Sequence, residues 1–101
     1  MNIKESIIHY IGVYDGSEKR IIENTISDHM YEFGKQSDAR RAVESNILWL
    51  IENKYIEFVN YQNMTDMEKR YYESDGYCSI YRIIKRYNES EYLSEKYGSN
   101  N

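Results

Sequence analysis

Hydrophobic side chains recur along residues 37–53 with the period of an α-helix. The apolar positions are separated by four, four and three residues: Ala39, Val43, Ile47 and Leu50. A helix places positions with this spacing on one face. Ser37 or Asp38 can cap the N-terminus by accepting hydrogen bonds from otherwise unpaired backbone N–H groups. The pattern therefore predicts an amphipathic helix over 37–53.

The pattern then changes from helix to strand. Asn53-Lys54 suits a helix exit, because Asn tolerates a left-handed C-cap and Lys complements the helix dipole. Residues 55–61 have the composition of a strand, with Ile56 and Phe58 on the same side. We expect a strand directly after the helix.

A second strand is predicted near the end of the chain. Residues 77–84 alternate, and Asp75-Gly76 before them is a turn signal. This segment is expected to pair antiparallel with 55–61. The two strands are joined by residues 62–76, which are expected to form an extended loop or wing tip.

Two further helices precede the central one. Asn2 caps the first, over 2–14, and Ser17 caps the second, which begins at Glu18. The second helix has an apolar stripe: Ile22, Ile26, Met30 and Phe33. A break near residue 27 is an alternative, because Ser27-Asp28 could cap a shorter helix. At the other end, 87–97 suits a short last helix, and 98–101 is expected to be a flexible tail.

The segment LWLIENKYIEF, residues 48–58, resembles the passage from recognition helix to wing in winged-helix proteins. The order helix, turn, helix, hairpin extends the resemblance over about residues 2–84. It implies an α+β fold, a mainly helical winged helix-turn-helix with a two-stranded antiparallel wing. Lys54 departs from the family where a glycine is common, and Leu48 and Trp49 are apolar where the family is usually polar.

The resemblance implies a small DNA-binding transcriptional regulator that places the 37–53 helix in the major groove. The residues expected to contact double-stranded DNA are Lys35, Ser37, Arg40, Arg41, Glu44 and Ser45, with Lys69 and Arg70 from the wing. Arg40 and Arg41 would read bases, whereas Lys35 would contact phosphate. The plainer alternative for the two arginines is a solvated helix face paired with Glu44.

Charge and surface composition support a second interpretation. The 101 residues carry a net charge of −4 and twelve tyrosines, whereas a nucleic-acid binder is expected to have a basic footprint. The chain could instead be an acidic, tyrosine-rich protein-binding module: an inhibitor, adaptor or anti-defence factor of a virus or mobile element. In either case a homodimer or another partner is expected to contact four residues: Leu48, Trp49, Tyr92 and Leu93. For Leu48 and Trp49, packing under another helix of the chain is an equal alternative.

Length and motifs limit the remaining classes. The chain suits one domain, over 1–97. A single cysteine, Cys78, fits the reducing cytoplasm, and no apolar run approaches membrane-spanning length. His9, His29 and Cys78 are too widely spaced to predict a metal site. No nucleotide-binding or hydrolase motif is present. We therefore expect no enzymatic activity, no cofactor, no metal and no membrane partner.

Overall fold

Three N-terminal helices form the main core of the protein, for which a computed structural model describes residues 1–98. They are α1 (Ile3–Val13), α2 (Glu18–His29) and α3 (Gln36–Glu52), and a 3-10 turn over Met30–Glu32 lies between the last two. Each helix packs against the other two. The predicted tail beyond Gly98 lies outside the described residues.

Caps define where the first two helices begin. The Asn2 side chain accepts a hydrogen bond from the Glu5 N–H at 2.9 Å, and the Glu5 carboxylate accepts one from the Asn2 N–H at 3.1 Å. This reciprocal pair satisfies two N–H groups that the helix itself leaves unpaired. Ser17 caps α2. Both predicted caps are confirmed, and α2 continues to His29 without a break near residue 27.

The predicted buried face of α3 is confirmed in full. Its four apolar positions are all buried: Ala39, Val43, Ile47 and Leu50. The predicted cap is wrong, because α3 begins at Gln36 and its cap position, Lys35, makes no side-chain hydrogen bond. Ser37 and Asp38 therefore lie inside the first turn. In α2 the stripe is shorter than predicted, because Met30 is exposed at the turn.

A two-stranded antiparallel sheet follows α3, as predicted. Strands β1 (Ile56–Phe58) and β2 (Tyr81–Ile83) pair in a register that joins Ile56 to Ile83 and Phe58 to Tyr81. Ile56 is buried, but Phe58 is 55% exposed. Residues two apart in a strand lie on the same side, so Ile56 and Phe58 share a side as predicted, although only Ile56 is buried. Phe58 is the last residue of this short strand, and its side chain is not covered by the core.

The hairpin is also attached to the turn between α1 and α2. Ser17 forms an isolated antiparallel bridge with Ile80, and the Tyr81 N–H donates to the Gly16 carbonyl at 2.9 Å. Gly16 has a φ of +80°, and a Cβ there would lie 1.9 Å from the Tyr81 carbonyl oxygen. Only glycine allows the two backbones to approach this closely.

The segment between the strands is helical, so the prediction of an extended loop over 62–76 is wrong. A 3-10 turn over Tyr61–Asn63 leads into α4 (Asp66–Ser74). Thr65 caps it, with the Thr65 hydroxyl accepting from the Glu68 N–H at 3.1 Å and Glu68 accepting from the Thr65 N–H at 2.8 Å. This capping box satisfies the helix start. The segment from β1 to β2, for which we keep the label of the sequence prediction and call the wing, therefore contains a helix.

The described part of the chain ends with α5 (Glu89–Leu93) and a π-helical turn over Ser94–Gly98. Asn88 caps α5 by accepting from the Glu91 N–H at 3.0 Å. The predicted helix over 87–97 is confirmed in its central part. Residues 1–98 are therefore mainly helical with one two-stranded antiparallel sheet, as the α+β prediction requires.

Candidate nucleic-acid interface

The exposed face of α3 is positioned by the packing of its opposite face. Because its apolar stripe is fixed against α1 and α2, the polar positions between the stripe residues are turned outward. Six of the predicted DNA-contacting residues are exposed there or directly before the helix: Lys35, Ser37, Arg40, Arg41, Glu44 and Ser45. The fold thus brings these six together on one helix.

An open cleft runs between α2 and the start of α3. It has a volume of about 380 Å³ and is lined by Ile22, Glu23, Ile26, Gln36, Ser37 and Arg40. The cleft combines apolar walls with an arginine and amide and hydroxyl groups. Glu23 lowers the positive potential near Arg40.

Arg40 already has a partner on its own helix. Its Nε lies 3.3 Å from Glu44 Oε2, and both side chains are more than half exposed. An exposed pair four residues apart on a helix stabilises by about 0.3–0.5 kcal/mol. Such a pair is easily exchanged for a phosphate or base contact. Arg41 is exposed beside it.

The two basic residues predicted on the wing, Lys69 and Arg70, lie on α4 and not in a loop. The Lys69 ammonium lies 5.0 Å from the centre of the Tyr61 ring. The Arg70 Nη1 lies 3.7 Å from the sulfur of Met67. Both residues therefore contact neighbours within the wing and form a group separate from that on α3.

The four residues predicted to contact a partner fall into two kinds. Leu48 is 56% exposed on α3, and Leu93 is exposed on α5. Trp49 and Tyr92 belong to an aromatic cluster within the chain, with their ring centroids 5.3 Å apart. Trp49 also stacks on Tyr55 at 5.9 Å. This cluster holds α5 against the end of α3.

A buried acidic group joins the wing to α2. Asp75, directly after α4, accepts a hydrogen bond from the Ser17 hydroxyl at 2.7 Å and from Arg20 Nη2 at 3.1 Å. Burial alone would raise the pKa of Asp75, but the hydrogen bonds from Arg20 and Ser17 outweigh it and hold that pKa below its usual range. This connection was not predicted from the sequence.

A similar pair fixes α4 to β2. Arg82 donates to both carboxylate oxygens of the buried Glu68, at 2.7 Å and 3.2 Å. Burial would raise the pKa of Glu68, yet the bonds from Arg82 and from the Thr65 N–H lower it below the ordinary value. The negative charges of two acidic residues of the wing, Glu68 and Asp75, are therefore balanced by arginines of the same protein. Two other acidic residues of the same segment, Asp66 and Glu73, are exposed.

One group of side chains has the order of a nucleophilic relay. The Ser6 hydroxyl lies 2.8 Å from His29 Nε2, and the other ring nitrogen of His29 meets Glu32. Ser6 is only 1% exposed, so a substrate cannot reach its oxygen. The relay joins α1 to the end of α2 and has a structural role.

Within residues 1–98, no three histidine, cysteine or carboxylate side chains form a group that could hold a metal ion. No helix in this range has the length and apolar character needed to cross a membrane. Comparison with protein-family models, curated proteins and solved structures gives no match to this chain.

Proposed function

We propose that the protein is a DNA-binding transcriptional regulator of winged-helix type, which inserts the first half of α3 into the major groove. The observation that carries this proposal is the exposed polar face of α3 on a three-helix core that is followed directly by a hairpin. The Ser17–Ile80 bridge supports it, because it attaches the hairpin to the start of α2. In this proposal the protein acts in the cytoplasm as a homodimer.

Arg41 is the residue that we assign to base recognition. It is exposed one turn into α3, and an arginine there can donate two hydrogen bonds to O6 and N7 of a guanine. Arg40 exchanges its Glu44 partner for DNA at little cost. Lys35, directly before the helix, contacts a phosphate and fixes the position of the helix on the duplex.

Glu68 and Asp75 are each paired with an arginine within the protein. This reduces the objection that an acidic protein binds DNA poorly. The chain still carries a net charge of −4, so non-specific affinity for DNA is expected to be weak. The test therefore starts at low salt, about 50 mM, where phosphate contacts contribute most. Fluorescence anisotropy is measured with labelled random duplexes and with duplexes from the protein's own locus.

Two variants separate base contacts from phosphate contacts. Arg41→Ala should weaken binding to a specific site by about 1–3 kcal/mol and leave random duplexes nearly unaffected. Lys35→Ala should weaken both alike and reduce the slope of log K against log salt by about 0.9. Arg86→Ala, which removes an exposed arginine that lines a cleft with Glu5 and His9 of α1, is the control. Failure of every duplex to bind at low salt would refute the regulator.

A protein-binding module is the second candidate, and one observation favours it. Leu48 and Phe58, two large apolar side chains, are each more than half exposed on consecutive elements. Exposed apolar side chains are informative where they cluster. If no duplex binds, the function of an inhibitor, adaptor or anti-defence factor replaces that of a regulator.

A further inference from the structure

A shallow apolar cleft lies beside the second half of α3. It has a volume of about 190 Å³, and its lining residues come from three elements: Glu18, Glu44, Ile47, Leu48, Ile51 and Tyr81. A cavity of about 150 Å³ holds a benzene molecule, so this cleft can receive one large apolar side chain. The strand register pairs the exposed Phe58 with Tyr81, one of the lining residues.

Two carboxylates give the cleft a negative rim. Glu18 Oε2 accepts a hydrogen bond from the Tyr81 hydroxyl at 2.6 Å, which fixes the carboxylate near the cleft wall. Glu44 is held only by its exposed pair with Arg40. The occupant that fits must therefore present one apolar side chain next to a cation.

The chain itself carries such a group on α4. Met67 is exposed, and Arg70 lies one turn further along with its guanidinium nitrogen 3.7 Å from the Met67 sulfur. Met67 is unbranched and flexible, so its side chain adapts to an irregular cleft. Its size suits the cleft, and the adjacent arginine has the charge that the two carboxylates require.

We propose that the cleft binds the Met67–Arg70 edge of α4 from a second copy of the chain. Met67 enters between Leu48 and Ile51, and Arg70 approaches Glu18 and Glu44. When two copies bind each other in this way, each cleft receives the other's α4 and the assembly closes as a two-fold dimer. This names the surfaces of the homodimer in the proposed function, but it does not depend on DNA binding.

The test is sedimentation velocity of the full chain without DNA over a range of concentrations. Wild-type protein should dimerise. Leu48→Glu, Glu44→Arg and Arg70→Glu should each raise the dimer dissociation constant by about 10- to 100-fold. Leu48→Glu would bury a charge against the apolar Met67, whereas the other two would place like charges at the contact. Val13→Glu, which places the same charge at an exposed apolar position on α1, is the control and should leave the constant unchanged.

A mixture of two variants provides the sharper test. Glu44→Arg and Arg70→Glu chains should each be monomeric alone, and they should form a heterodimer when mixed, because both contacts then join opposite charges. Circular dichroism checks that each variant is folded. A monomeric wild type, an unaffected Leu48→Glu dimer, or no recovery in the mixture would overturn the proposal. If the mixed variants form the heterodimer but the protein binds no duplex, the proposed dimer contact stands and only the proposed DNA-binding function is refuted.

Discussion

Replacing Asp75 by Asn should weaken the attachment of the α4 segment to α2. The Asp75 carboxylate is 1% exposed and accepts from Ser17, the cap of α2, and from Arg20 within α2. Asn has nearly the same shape but no charge, and its amide presents a donor where Asp75 has only acceptors. The substitution therefore removes the ion pair and leaves the space filled.

The cost follows from the number and exposure of these bonds. A hydrogen bond to a charged group is worth about 1.5–3 kcal/mol. The hydrogen bond from Ser17 is buried and contributes its full free energy to stability. The Arg20 side chain is 42% exposed, so solvent screening reduces the contribution of its ion pair. We expect Asp75→Asn to lower the free energy of unfolding at pH 7 by about 2–4 kcal/mol. For a domain of this size the melting temperature should fall by about 10–20 °C.

The loss should depend on pH in a defined direction. Because the pKa of Asp75 is lowered in the folded protein, its contribution is fully present above the unfolded value of about 3.9. It is lost as the pH falls through the lower, folded value. The difference in stability between wild type and Asp75→Asn should therefore be constant from pH 5 to 7, and it should disappear as the pH falls below about 4.

Urea unfolding, followed by circular dichroism from pH 2.5 to 7, measures this difference. Glu73→Gln, at an exposed carboxylate on α4, is the matched control and should change stability little at any pH. A difference that persists unchanged at pH 2.5 would show that the loss comes from packing. A loss below 1 kcal/mol at pH 7 would refute the role of Asp75 in joining wing and helix.

Three further predictions test single backbone and capping features. Gly16→Ala should prevent stable folding, because the added Cβ would lie 1.9 Å from the Tyr81 carbonyl oxygen; a soluble variant with a wild-type melting temperature would contradict this. Lys54→Gly should stabilise by about 0.5–1 kcal/mol, since Lys54 has a φ of +66°, and a lower melting temperature would refute the argument. Thr65→Ala should cost about 1 kcal/mol in urea unfolding by removing the cap of α4; no change would mean that the cap contributes nothing.

The helical core could be predicted because its signals are local. The stripe of α3 repeats over four positions, and the caps Asn2 and Ser17 each precede an apolar run. Lys54, noted for standing where glycine is common, does adopt the left-handed conformation, whereas Asn53 before it does not. Patterns of this kind depend on residues within a turn or two of each other.

The wing was predicted less well, for two different reasons. The capping signal of α4, Thr65 followed three positions later by Glu68, was present in the sequence, but the segment was interpreted as a loop that closes at the Asp75-Gly76 turn signal. By contrast, the partners of Glu68 and Asp75 lie 14 and 55 residues away along the chain. No local pattern contains such pairings, so the burial and neutralisation of these acids could not be predicted.

The two proposed functions of α3 use successive parts of the same helix. Its first turns present polar and basic side chains, and its later turns present Leu48 beside an apolar cleft. Glu44 lies where these surfaces meet, paired with Arg40 on one side and at the rim of the cleft on the other. When Arg70 of a second copy approaches Glu44, it competes with Arg40 for the Glu44 carboxylate. The ion pair between Arg40 and Glu44 is then weaker, and Arg40 is available to contact DNA. Dimerisation should therefore strengthen DNA binding through Arg40, and Arg40→Ala should remove more affinity from the dimer than from a monomeric Leu48→Glu variant.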